Sequence, residues 1–252
     1  MKLTLPDKSI RDLDNGSSGF DLANDIGPGL AKAAVAVTVD GVQRDLHDPI
    51  MHDANISIIT IDSEEGLEIM RHTLAAQVLA RAVKNLYPKS KLAIGPTIKD
   101  GFYYDVECKE TISIDDLKKI EKEMDKIVKT KSSITKKLLS KKDALKVFKD
   151  KDESYKEEII NDSDQEDEFQ LYYQDDEDFV DLCKGPHLPN LNFIGAYKLT
   201  TISGAYWKGD SSNTMLTRIY GTAWSNEKDL NEHLNNIEEA QKRDHRKLGK
   251  EM

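Results

Sequence analysis

The sequence has little of what a membrane-spanning or disulfide-stapled protein needs. Its longest apolar stretch, Ala33 to Val39, is seven residues broken by Thr38, against roughly 18 for a spanning helix. Lys2, Asp7 and Lys8 bring charge in before a signal-peptide core could form. Two cysteines, Cys108 and Cys183, are too few for a disulfide framework and suit a reducing compartment. The expected location is the cytoplasm, with no membrane partner. No P-loop, Gly-x-Gly-x-x-Gly or Gly-x-Ser-x-Gly occurs, so nucleotide and serine-hydrolase chemistry have no residue basis. Internal repeats and low-complexity linkers are missing as well.

Charge is what the chain has in quantity. Its 252 residues are 38% apolar and 33% charged, with 46 acids against 36 bases and a net charge of −10. That supports one or two domains and argues against a generic nucleic-acid-binding tail. The balance is uneven: residues 118–149 carry twelve lysines and four acids (Glu121, Glu123, Asp125, Asp143), +8 locally and −18 elsewhere. Such a strip either docks a polyanion or coats the wet faces of two helices.

Residues 1–61 read as a small mixed unit. Lys2 to Leu5 alternates as a strand, and Phe20 to Asp25 is a short helix that Gly27-Pro28-Gly29 should end. Val35, Val37 and Val39 alternate up to Asp40-Gly41, a strong hairpin signal, with Val42 to Leu46 returning and Ile56 to Ile61 closing the unit. The order hairpin, helix, hairpin, strand is that of a ubiquitin-like β-grasp.

Residues 62–224 read as a second, α+β domain. Ser63 caps a helix over 64–86 whose apolar residues form two opposed stripes, Leu67, Met70, Leu74 and Val78 against Ile69, His72, Ala76, Leu79 and Val83. A helix apolar on two sides belongs at the centre of its domain, packed against an antiparallel sheet. Leu92 to Ile98 and Phe102 to Val106 flank Asp100-Gly101 as a hairpin, and Ser113-x-x-Asp116 and Ser140-x-x-Asp143 start further helices. Ten acids interleaved with aromatics over 161–181 suggest strands joined by an acidic turn at 175–178. Residues 225–252 form a last helix whose face of Leu230, Leu234, Ile237 and Gln241 lacks an obvious partner.

Chemistry concentrates in Asp181-Leu182-Cys183-Lys184-Gly185-Pro186-His187. Gly185-Pro186 forbids a regular helix, so Cys183 and His187 project from a shaped loop. Such a thiol and imidazole can serve as metal ligands, acid/base groups or a nucleophile pair. His72 is either a satisfied core histidine or a second contributor facing a pocket. A helical metal site would want another histidine four residues on, and that position is Ala76.

Ile94-Gly95-Pro96, Gly101-Phe102-Tyr103-Tyr104-Asp105, Ser154-Tyr155-Lys156, the Asp181 to His187 run and Gly204-Ala205-Tyr206-Trp207-Lys208-Gly209-Asp210 occur here in that order. They are followed by Arg218-Ile219-Tyr220-Gly221-Thr222-Ala223-Trp224 and a closing Lys242-Arg243-Asp244-His245-Arg246-Lys247-Leu248-Gly249-Lys250. In this series the chain resembles the N-terminal region of bacterial-type threonyl-tRNA synthetases over its whole length. The resemblance implies a β-grasp TGS domain (1–61), an editing domain (62–224) and a linker helix (225–252) toward a class II catalytic core. The expected activity is hydrolysis of mischarged seryl-tRNA(Thr), with the tRNA(Thr) acceptor end as partner. It also implies that the chain stops where the core would begin, so that aminoacylation, ATP, the core's zinc, the anticodon-binding domain and homodimerisation lie outside these residues and no cofactor or metal is expected within them.

By the same resemblance His72, Lys156, Asp181, Cys183 and His187 are the catalytic candidates, and Tyr104, Gly95, Pro96 and Tyr206 the substrate-binding ones. Hydrolysis is expected by a positioned water, with Lys156 or His72 handling protons. The chain departs from the family at one point, where His-x-x-x-His begins at His72 and the second position is Ala76, while Gln77 looks like an extra residue. Either one editing histidine is lost, or Gln77 takes its place. The alternatives to a hydrolase are a non-catalytic module holding the acceptor end or a seryl ligand, and a TGS-driven interaction fragment.

Overall fold

The computed structural model describes residues 1–175 and 177–248. Asp176 of the expected acidic turn, and residues 249–252 with the end of the closing basic motif, lie outside the described residues. The first unit consists of β1 (Lys2–Thr4), β2 (Ile10–Asp12), α1 (Gly19–Ile26), α2 (Pro28–Ala33), β3 (Ala34–Val39), β4 (Val42–Asp45) and β5 (Ala54–Thr60). Its sheet runs β2-β1-β5-β3-β4, with β1 parallel to β5, and this is the β-grasp order. The Asp40-Gly41 turn forms with both residues at positive φ, 48° and 83°, as a two-residue hairpin with type I′ torsions requires. Ser18 and Asp21 close a capping box on α1. Gly27 ends α1 at Ile26, as expected, and Pro28 and Gly29 then open a second helix. Pro28 is the first residue of α2, where its missing N–H would have had no partner anyway.

The second unit is built on a nearly continuous helix over 64–86. It comprises α3 (Glu64–Thr73), a π-helical turn (Leu74–Leu79) and α4 (Ala80–Leu86), with Ser63 accepting from the Gly66 N–H as N-cap. Every residue from Leu74 to Leu79 is buried, so the two-sided apolar pattern does mark a central helix. Around it run β6 (Lys91–Leu92), β7 (Thr97–Ile98), β8 (Gly101–Glu107), α5 (Leu117–Lys129), β9 (Ile134–Leu139), α6 (Lys141–Asp150), α7 (Ser154–Asn161), β10 (Phe169–Gln174), β11 (Val180–Leu182), β12 (Ala196–Tyr206), β13 (Met215–Trp224) and α8 (Glu227–Leu248). One antiparallel sheet is ordered β12-β13-β8-β6, with β7 also on β8, and a smaller one is β11-β10-β9. The architecture is α+β throughout.

The units share an interior. Val35, Ala36 and Ile59 of the β-grasp sheet join the core built around the central helix, while Leu3, Leu22, Val37 and Ile56 form the first unit's own. That explains why β3 is buried on both faces although its valines alternate. On α8, Leu230 is buried whereas Ile237 is 39% exposed, so the apolar face is covered only at its start. Many lysines of the 118–149 strip lie on solvent-facing positions of α5 and α6, with several paired to acids. No described helix is long and apolar enough to cross a membrane.

Candidate active site

Between the central helix and the loop after β11 lies a cavity of about 460 Å³. His72 and Ala76 come from the helix, Ile94, Gly95 and Pro96 from the β6–β7 connection, Lys156 and Ile159 from α7, and Asp181 to Lys184 from β11 and its loop. Phe169 and Gln170 of β10 close another side. Apolar walls with a few converging polar groups are the usual make-up of a small-molecule site.

The polar groups form two linked clusters. In the first, Lys156 Nζ lies 2.6 Å from Asp181 Oδ1 and donates to Tyr104 Oη at 3.1 Å, and Tyr104 donates to Asp181 Oδ2 at 2.9 Å. The side chains of Lys156 and Asp181 are only 3% and 2% exposed. Burial, followed by the Asp181 charge, pushes the Tyr104 phenol well above its ordinary range and keeps it a neutral donor. Tyr104 is fully buried behind the pocket rather than lining it. Its ring packs so close to Gly95 that a Cβ there would collide with it, which is why the wall needs glycine.

In the second cluster, His72 Nε2 meets Cys183 Sγ at 2.7 Å, and the His72 ring stacks on His187 at 4.6 Å between centroids with 6° between planes. Burial pushes the Cys183 thiol up to about 12, so it stays protonated and supplies the hydrogen to His72. The remaining nitrogen of His72 is left for the Gly95 carbonyl, and burial lowers the imidazole's pKa, partly offset by Asp181. His187 is buried beneath His72, and its tautomer follows from its neighbours. Thr73 spends its one hydroxyl hydrogen on the Ile69 carbonyl at 2.8 Å and accepts from the Leu188 N–H at 3.0 Å. His187 Nδ1, 3.1 Å from the same oxygen, is therefore the donor. Nε2 then carries a free lone pair with no partner, and burial and the neighbouring His72 hold the ring's pKa well below its usual value.

Among the described residues, His72, Cys183 and His187 form one group with metal-ligand spacing, their donor atoms all within 4.8 Å of one another. Tetrahedral zinc, with Zn–N near 2.0 Å and Zn–S near 2.3 Å, would hold nitrogen and sulfur about 3.5 Å apart. His72 Nε2 and Cys183 Sγ stand 2.7 Å apart, closer than that spacing, and meet each other in a hydrogen bond.

The structure thus brings His72, Lys156, Asp181 and Cys183 together at one cavity, with His187 packed behind and Gly95 and Pro96 in its wall. Tyr206 stands elsewhere, at the far end of β12 opposite Met215, 41% exposed and not among the cavity residues. The resemblance implies a substrate contact for Tyr206, but the strand carries it to the end of the β12–β13 hairpin away from the cavity. At the departure point, it is Ala76 that lines the cavity. Gln77 is fully buried on the other side, where Gln174 Nε2 donates to its carbonyl at 2.7 Å. The stretch from Leu74 to Leu79 is a π turn, a form often found within helices near functional sites. Thr73, Tyr172 and Asp45 also shape the site but carried no sequence signal.

Residues 1–60 match the TGS domain family, and residues 170–220 match the threonyl and alanyl tRNA synthetase second additional domain. Curated relatives named threonine–tRNA ligase align along the chain: Prochlorococcus marinus strain MIT 9211 at 46% identity over 99% of it, Hahella chejuensis at 48% over 99%, and Francisella philomiragia at 48% over 100%. In each case the chain spans 39% of the relative's length. With both domain types in this order and such identity from end to end, the chain is similar to the part of threonine–tRNA ligases that holds the TGS and second additional domains.

Proposed function

We propose that the cavity is an editing site that hydrolyses the aminoacyl ester of seryl-tRNA(Thr), with the acceptor end of that tRNA as partner and without a metal. The observation that carries this reading is the convergence of His72, Cys183 and the Lys156–Asp181 pair on one cavity large enough for an aminoacylated terminal nucleoside. The need follows from size: a missing methyl group changes binding by only about 1–3 kcal/mol, so a threonine-selecting site passes some serine and a second site must remove it.

The residues divide the work by their protonation. Cys183 is a thiol with its proton engaged on His72, so it orients rather than attacks, and water is the nucleophile. His72 is a neutral imidazole whose Nε2 lone pair faces the thiol. A water displacing that thiol contact finds a base there. Lys156, held by Asp181 at 2.6 Å, supplies a fixed positive charge near the cavity where the ester oxygen becomes anionic. Gly95 and Pro96 give a close, rigid wall against the aminoacyl group.

Ala76 supports a second reading, a binding module that holds the aminoacylated end without cleaving it. A methyl group can neither transfer a proton nor polarise water, and loss of one general acid or base costs about 10² to 10⁴ in rate. Single-turnover release of serine from seryl-tRNA(Thr), with threonyl-tRNA(Thr) as control, separates the two. The hydrolase reading expects faster release of serine than of threonine, and further acceleration in Ala76→His. Binding of a nonhydrolysable seryl-adenosine analogue without release from either protein would establish the binding module instead.

A further inference from the structure

The first domain reaches the candidate site through one carboxylate. Asp45 ends β4, and its Oδ1 accepts from the backbone N–H of His187, 142 residues away in sequence, at 2.9 Å. Its Oδ2 accepts from the Tyr172 hydroxyl at 2.8 Å, and Lys136 Nζ lies 2.9 Å from the same oxygen. Asp45 and Lys136 are each 15% exposed at the side chain, so these charge-assisted bonds are largely shielded from water.

What Asp45 holds is the far side of the catalytic cluster. The Tyr172 ring meets the His187 imidazole edge-on, 4.4 Å between centroids at 78°, and its hydroxyl sits where any Cβ on Gly185 would collide. Gly185 has a φ of 63°, a left-handed conformation that glycine adopts without strain. One carboxylate therefore fixes the loop's backbone at His187 and the aromatic ring packed on its imidazole. His187 in turn stacks on His72, and His72 meets Cys183 in the cavity.

We propose that Asp45 is a positioning residue for the site: the TGS domain supplies the carboxylate that sets the Cys183–His187 loop, and through His187 the orientation of His72. Its consequence for catalysis rests on the hydrolase reading, whereas the setting of the loop does not. Asp48 provides the contrast. It pairs with the same Lys136 at 2.6 Å, yet among the described residues it makes no hydrogen bond to the Cys183–His187 loop. An Asp48→Ala change weakens the ionic contact between domains while leaving His187 in place.

The test compares Asp45→Ala, Asp45→Asn and Asp48→Ala in the full chain by three readouts. These are hydrogen exchange of the His187 amide, the imidazole resonances of His72 and His187, and single-turnover serine release alongside affinity for the seryl-adenosine analogue. In Asp45→Ala the His187 amide should exchange at least about tenfold faster and both imidazole resonances should move, while β3 amides stay protected. Serine release should slow by about tenfold or more with analogue affinity little changed, since small misplacements of reacting groups are costly. Asp45→Asn keeps an oxygen for the His187 N–H and should protect that amide more than Asp45→Ala does. Asp48→Ala should resemble wild type in all three. An unchanged His187 amide and unchanged imidazole resonances in Asp45→Ala, or equal changes in Asp48→Ala, would overturn the proposal. Wild-type protein that shows the expected exchange behaviour but releases no serine would remove the hydrolase reading and leave the loop-setting role standing.

Discussion

The two domains keep their interiors differently. In the first sixty residues Ser18 is the single polar side chain among those buried, and it is a helix cap, whereas the second domain buries Arg71, Thr73, Gln77, Asp105, Glu153, Lys156, Gln174, Asp181 and His187 among others. The β-grasp core is apolar packing of Leu3, Leu22, Val37, Ile50 and Ile56. Its partner encloses charge, and buried charge lowers stability unless it is closely paired. The contrast teaches where the chemistry resides: an interior that tolerates Lys156 and Asp181 beside a cavity is organised around that cavity, while the apolar unit is organised around holding its shape.

Removing one member of the buried pair should sharpen the contrast most. Lys156→Met leaves Asp181 unpaired and should destabilise the second domain by about 3–5 kcal/mol, whereas Lys156→Met with Asp181→Leu should recover most of that loss. Urea unfolding followed by the fluorescence of Trp207 and Trp224, both in the second domain, measures it. A double variant as unstable as the single one would mean that the pair is ordinary packing and the contrast false.

Acid should act next most strongly, and on the second domain. His72 and His187 have pKa values lowered by burial, so the folded state binds fewer protons than the unfolded state once the pH falls below about 6.5. Their stabilising contribution is complete above that pH and is lost as pH falls toward the folded values, by up to about 1.4 kcal/mol per pH unit for each histidine. Urea midpoints at pH 7.5, 6.5 and 5.5 should decline, and the decline should flatten in His187→Gln. An equal slope in that variant would remove His187 from the account.

The smallest effect is expected in the apolar unit. Ser18→Ala removes the capping box at α1 and should cost about 1 kcal/mol in the first domain's unfolding, read by hydrogen exchange of α1 amides. A loss several times larger would show that this interior, too, depends on a buried polar contact.

Much of this was legible in the sequence because local chemistry carried it. The Ser113–Asp116 capping box, the Ser140 and Ser63 caps and the Asp40-Gly41 hairpin depend on neighbouring residues alone, and all form as read. The two apolar stripes of the 64–86 helix gave its central place. Strand β9 and helix α7 escaped because the lysines of one and the acids of the other mask short apolar patterns that only tertiary packing selects. The cluster from Asp181 to His187 stood out through unusual residue types. Asp45, an aspartate in an exposed-looking hairpin, could not stand out, since its partners lie 127 and 142 residues downstream.

The π turn at Leu74–Leu79 acts on the helix as a phase corrector. One additional residue in an unbroken α-helix would rotate everything after it by about 100° and advance it by about 1.5 Å, unseating Val83 from the core it shares with Ile120 and Met124. Widening a single turn confines that shift. The downstream half would stay in step with its surroundings, and any such mismatch would fall on the stretch where Ala76 faces the cavity and Gln77 meets Gln174 on the other side. A π turn at this place lets the cavity wall be altered without disturbing the register of the domain around it.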